Sequence, residues 1–222
     1  MKNTRSAAAV ASRLKTPPAA TEVIELKKSD ATRQRIMDAA ALVMSREGFA
    51  GTKLADIAAE AKLKIAALYY YFESREGLVE AVLVTGSEQV RLHTEAAVAA
   101  LDPACSPLDR LSAAMESHLR FILEISHYTE AAIRNSSQVP EHIRRAIRVE
   151  QGRYGRFWQA LVDAAAAGTR YRTPAQRKAL RMLIIGGLNW TVEWWAPEQA
   201  SLDQVVDTAL SMARAALQAP KA

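Results

Sequence analysis

Three consecutive tyrosines, Tyr69, Tyr70 and Tyr71, stand close to Lys53, Lys62, Lys64 and Arg75. A helix presents its residues to all sides within four positions, so three successive tyrosines cannot all face a core. Phenolic hydroxyls displayed on an exposed helix donate well to phosphate oxygens, and neighbouring cations supply the complementary charge. The chemistry of this segment is that of holding a polyanion. Leu54, Ile57, Leu68, Phe72 and Leu78, interleaved with it, read as packing residues with no such role.

Catalytic and metal-binding groupings are missing. His93, His118, His127 and His142 show no metal-ligand spacing, and Cys105 is the only cysteine, which excludes an internal disulfide. There is no glycine-rich phosphate loop after a strand and no nucleophile elbow, so neither an enzyme nor a cofactor is predicted. No run approaches the ~20 apolar residues of a membrane span. The AAAVA stretch at 7–11 is too short for a signal peptide and is followed by Arg13 and Lys15. With one cysteine and no such segment, a reducing cytoplasmic location is expected.

The elements that position these groups are helices. Half of the 222 residues are hydrophobic but only 6% are aromatic, and strong helix formers dominate over glycine and proline. Residues 1–28 carry six basic against two acidic residues and Pro17-Pro18 without apolar periodicity, and read as a flexible basic arm. A helical pattern opens at Asp30 with Ile36, Ala39, Ala40 and Val43 on one face, and Gly48 is expected as a left-handed cap. Thr52 is expected to cap a second short helix, a tight connection at Lys62 leads to a third, and Ser74 caps a fourth reaching about His93 or beyond.

Beyond it, Pro107 opens a helix with Leu108, Leu111, Met115, Leu119 and Ile122 inward. A polar break falls at Asn135-Ser136-Ser137. Pro140 starts a long helix ending at Gly168, Pro174 another ending before Pro197, and Ser201 caps the last. The prediction is an all-α chain of about nine helices: the arm 1–28, a helix-turn-helix domain 29–75 and a helical body 76–222.

Residues 33–78 closely resemble the DNA-binding domain of the TetR/AcrR family of transcriptional regulators. The resemblance rests on the Ile-x-x-Ala-Ala run from Ile36, Gly48-Phe49, Thr52, Asp56-Ile57-Ala58, Leu68-Tyr69, Phe72, Ser74-Arg75-Glu76 and Leu78. It implies that Tyr69, Tyr71 and Arg75 touch the sugar-phosphate backbone and that Lys64, Ile65, Ala66 and Ala67 face bases. Thr52, Lys53, Lys62 and Tyr70 complete the candidate DNA-binding set. The chain departs from the family at the turn, with Lys62 where glycine is common and Lys64 where Ser or Thr usually caps the recognition helix. The missing cap costs about 1 kcal/mol, and a cation there opposes the macrodipole unless a phosphate sits beside it.

The resemblance also implies a body that dimerises and holds a small ligand. His118, Phe121, Tyr128, Arg153, Tyr154, Trp158, Asn189, Trp190 and Trp194 are the candidate ligand residues; aromatic stripes at helical spacing also serve as plain core. Gly186-Gly187 in mid-helix points to close approach of a neighbouring backbone, either across a dimer face or inside one subunit. The stretch from Leu188 to Pro197, with Asn189-Trp190 and Trp194-Trp195, looks like regulators answering to fatty acyl-CoA, and the Arg-rich run Arg144, Arg145, Arg148, Arg153 and Arg156 would suit its phosphates. The expectation is a homodimeric repressor released from a palindromic DNA operator by a small apolar or acyl-CoA-like effector. The alternative is a helical sensor or adaptor without specific DNA binding.

Overall fold

Helix caps and apolar stripes set the architecture. The computed structural model describes the backbone of residues 20–218 and the side chains of residues 29–218. Among these, nine α-helices and one π-helical turn are present and no strand. They are α1 (Ala20–Gly51), α2 (Leu54–Glu60), α3 (Ile65–Tyr71), α4 (Arg75–Ala99), α5 (Pro107–Arg120), the π-turn (Phe121–Ile125), α6 (His127–Asn135), α7 (Glu141–Ala165), α8 (Pro174–Trp194) and α9 (Leu202–Gln218). The all-α expectation is met. The chain divides into residues 1–34 and 35–222, and every contact described below lies within the second unit. Residues 1–19 of the expected arm lie outside the described residues, and residues 20–28 form the start of α1 rather than a flexible segment.

Several starts are set by side chains seeking orphan amides. Ser74 accepts from the Gly77 amide, Ser106 from Asp109 and Ser126 from Thr129, and Thr173 with Gln176 forms a reciprocal capping box. Ser201 and Gln204 exchange the same pair of bonds ahead of α9. Thr52 does not cap α2. Its hydroxyl donates backward to the Gly48 carbonyl at 2.7 Å, and the cap position falls to Lys53, which makes no capping bond. Gly48 takes a positive φ of 68° as expected, but its ψ of 176° lies outside the left-handed helical region, so it kinks α1 instead of capping it. The helix α4 runs on to Ala99, within the expected span, and one further difference comes from the middle of the chain, where the π-turn with Ser126 separates α5 from α6.

Two apolar cores result. The first joins α1 from Ile36, α2, α3 and the start of α4 to Tyr128, Ala131 and Ala132 of α6 and Ile143 and Ile147 of α7. The second gathers the end of α4 with α5, α7, α8 and α9 around the fully buried Trp158. Each fully buried Leu, Ile or Val contributes roughly 1.5–3 kcal/mol relative to exposure. At Gly86 an added Cβ would stand 2.1 Å from the Tyr128 carbonyl oxygen, so α4 and α6 meet backbone to backbone there. Thr129 fastens the crossing by donating to the Gly86 carbonyl at 3.0 Å.

Candidate functional sites: an exposed helical face and a lined cavity

The turn between α2 and α3 is a Schellman closure. The Leu63 amide donates to Ala58 and the Lys62 amide to Ala59, with Lys62 at φ 54°. That left-handed position favours glycine, and a lysine there costs about 1 kcal/mol. Past the turn, Lys64 occupies the cap position of α3 without a side-chain bond. Ile65, Tyr69 and Tyr70 of α3 are 43%, 56% and 81% exposed, although such residues are usually covered. Lys53, Lys62, Lys64 and Ala66 are exposed beside them, and Ala67 is half-buried.

The other candidates of this group are placed differently. Thr52 is buried and faces its own backbone. Tyr71 packs partly against the first core. Arg75 turns inward: Nε donates to the Thr52 carbonyl at 2.8 Å, Nη2 to the Phe49 carbonyl, and the guanidinium lies 4.5 Å from the Phe49 ring centroid. It braces the α1–α2 junction.

A cavity of about 370 Å³ opens among α4, α5, α6, α7 and α8. It brings together His118, Tyr154 and Asn189 of the candidate ligand residues, with Thr129, Gln151 and Arg181, which the sequence reading did not single out. Thr94 donates to the Val90 carbonyl at 2.8 Å, and Tyr154 donates to Thr94 at 2.9 Å. With both protons committed, His118 Nδ1 is the donor of its 2.9 Å contact with the Tyr154 oxygen. Burial pushes the imidazole down to about 4, against the opposing hydrogen bond to Asn189, so the ring is neutral near neutral pH. Nε2, 3.0 Å from the Asn189 carboxamide, then needs a donor, which Asn189 supplies when its amide nitrogen faces the ring. Burial also raises the Tyr154 phenol above its ordinary range.

The remaining ligand candidates are not brought to this cavity. Phe121 is buried against His93, with ring centroids 4.4 Å apart. Tyr128 belongs to the first core and donates to Asp38 at 2.7 Å. Arg153 is exposed and paired with Glu150. Trp158 is buried in the second core without lining the cavity. Trp190 is 64% exposed, and Trp194 lines a separate apolar groove of about 680 Å³ between α8 and α9. Neither Gly186 nor Gly187 has an atom within 4 Å of an added Cβ, so no close contact inside the subunit accounts for them.

Two family descriptions match the chain: residues 36–82 match "Bacterial regulatory proteins, tetR family", and residues 104–217 match "Tetracyclin repressor-like, C-terminal domain". The chain belongs to the TetR family of bacterial regulatory proteins. This is a family of ligand-responsive transcriptional regulators, and the chain carries both of its parts. The HTH-type transcriptional repressor NicS of Pseudomonas putida is 40% identical over 60 residues, 27% of this chain and 28% of NicS. The match thus spans less than a third of NicS. The structure of AibR in complex with isovaleryl coenzyme A and operator DNA superposes with a TM-score of 0.73 at 20% identity, covering 82% of this chain and 97% of AibR. FadR of Bacillus subtilis in complex with stearoyl-CoA follows at 0.67 and 16%, covering 81% and 96%. At these identities the structural likeness establishes the fold.

In this TetR-family chain the short α6 touches both cores. Thr129, Ala132, Ile133 and Ser136 line the cavity. Tyr128 and Asn135 hold α1 through Asp38 and Phe49, and Arg134 donates to the Ser45 carbonyl at 3.1 Å and to the Val192 carbonyl of α8. The missed Arg181 had one signal in the sequence: Arg181, Ile185 and Asn189 recur every four residues along α8 and all line the cavity.

Proposed function

We propose that the protein is a homodimeric transcriptional repressor, cytoplasmic and without catalytic activity. It would hold a palindromic operator through two copies of the α3 face and release it when a small apolar effector enters the cavity lined by α4–α8. The observation that carries this reading is the α3 face itself, where Lys62, Lys64, Ile65, Tyr69 and Tyr70 are all exposed on a TetR-family helix-turn-helix. A seven-residue helix that leaves two tyrosines and an isoleucine uncovered offers hydroxyls to phosphates and methyl groups to thymines.

Dimerisation is supported by the α8–α9 groove. Leu183, Met212 and Trp190 are 75%, 69% and 64% exposed, and Gly187 lines the groove without a neighbour of its own. Exposed apolar surface of this extent marks an association site. Release would run through α6, since filling the cavity against Ala132 and Ile133 shifts the helix whose Tyr128 and Asn135 hold α1. Among the described residues no helix is long and apolar enough to cross a membrane.

An acyl-CoA effector is the second reading, favoured by the Leu188–Pro197 resemblance and by the coenzyme A thioesters bound to AibR and FadR. Against it, Arg144 and Arg148 are paired with Glu141 and Arg153 with Glu150, which leaves fewer free cations on α7 for phosphates.

The deciding experiment measures binding to the DNA beside the protein's own gene across a salt series, together with the mass of the free protein by light scattering. A repressor gives a dimer, a steep salt slope and a large preference over random DNA. A monomer, or binding without preference, overturns this reading in favour of a sensor or adaptor. Gly187→Leu is expected to weaken the dimer.

A further inference from the structure

Among the described residues, Arg181 is the only formally charged one lining the α4–α8 cavity. Its own partners are weak. Nη1 reaches the Gly155 carbonyl at 3.3 Å and Nη2 the Met182 sulfur at 3.3 Å, while Nε is buried with no acceptor. Among the described residues no carboxylate pairs with it, whereas Arg177, one turn earlier, pairs with Asp163 at 3.1 Å. A Cβ at Gly155 would stand 2.7 Å from Nη1, so glycine is what admits the guanidinium against α7. A buried donor left without an acceptor is costly in a native structure. The planar guanidinium fork matches a carboxylate in charge and in geometry.

The rest of the wall adds no charge of either sign. Val90, Ile133 and Ile185 are apolar, and His118 is tied to Tyr154 and Asn189. At about 370 Å³ the cavity lies near the lower end of the ~300–1,000 Å³ spanned by ligand pockets. It suits a compact molecule. The nucleotide of a coenzyme A thioester would remain outside.

We propose that the effector is a compact apolar carboxylate, its carboxylate held by Arg181 and its hydrocarbon part by Val90, Ile133 and Ile185. This rests on the reading of the cavity as the effector site. The test titrates the full-length protein calorimetrically with hexanoate, phenylacetate and 3-phenylpropionate, their primary amides, and hexanoyl-CoA. Operator release by each probe is followed in parallel.

At least one acid is expected to bind at least ~10-fold tighter than its amide, the loss that follows removal of a charge-assisted hydrogen bond. Arg181→Gln is expected to abolish that preference, and Arg181→Lys to restore part of it. The acid-to-amide comparison in the unaltered protein stands even where a variant folds poorly. Amides binding as tightly as acids, a preference retained in Arg181→Gln, or no acid binding at millimolar concentration each overturns the carboxylate assignment. If an amide or hexanoyl-CoA alone binds and releases DNA, the effector reading survives without the carboxylate. If no probe binds, both fall.

Discussion

The Asn135 carboxamide oxygen accepts a hydrogen bond from the Phe49 amide at 2.6 Å, across 86 positions of sequence. Its nitrogen donates to the carbonyls of Ala131 at 2.9 Å and Met44 at 3.4 Å, and the side chain is fully buried. One residue of α6 thus satisfies the backbone beside the Gly48 kink in α1. Asn135→Ala strands the Phe49 amide away from water and is expected to cost about 1–3 kcal/mol. The measurement is a urea unfolding series, in which the midpoint falls and the slope holds. An unchanged midpoint would show that Asn135 does not secure this junction.

Much of the fold was legible because its signals are local. Ser74 and Ser201 lie directly before apolar periodicity, and each does set a helix start. Thr52 has the same appearance and fails, because a threonine hydroxyl can equally donate back to a carbonyl four residues earlier. The π-turn leaves no mark, since Phe121–Ile125 continues the apolar stripe of α5. The cavity was legible only through His118, Tyr154 and Asn189. The bulky aromatics chosen beside them either fill the core, as Trp158 does, or face outward, as Trp190 does. What lines a hollow is decided by helix rotation, which aromatic spacing does not encode.

Lys62 offers a test of the turn. Its left-handed φ of 54° is relieved by Lys62→Gly, offset by the greater freedom of glycine in the unfolded chain. The net expectation is a gain of at most about 0.5 kcal/mol. Operator affinity is expected to fall in the same variant, because one cation leaves the DNA face. Thermal melts and binding titrations read the two effects separately. A destabilised Lys62→Gly would mean that the lysine side chain contributes more to the turn than its backbone strain costs.

Arg75 and Lys64 are expected to part company. Lys64 is exposed, so Lys64→Ala should leave the melting temperature in place and lower the salt slope of DNA binding by ~0.9. The Arg75 guanidinium is held by Thr52 and Phe49. Arg75→Ala leaves those two carbonyls without their charged donor and should cost about 1.5–3 kcal/mol of stability. Its salt slope should move less than that of Lys64→Ala. The opposite ordering of slopes would return Arg75 to direct phosphate contact.

His118 is expected to give the body an acid-sensitive stability. Its folded value of about 4 lies below the ordinary 6.5, because burial penalises the charged ring. Between these two values the unfolded chain binds the proton and the folded one does not. Stability is therefore complete above about 6.5 and falls as the pH drops toward 4. A difference of this size corresponds to about 3 kcal/mol when fully expressed. His118→Gln keeps a polar side chain between Tyr154 and Asn189 but cannot titrate. Unfolding free energies of the two proteins, measured from pH 7.5 down to the lowest pH at which both remain reversible, should converge as the wild-type protein loses its share. Carboxylates common to both cancel in that comparison. Parallel curves throughout the window would mean that His118 is already free to take up its proton in the folded protein, through opening of the cavity to water.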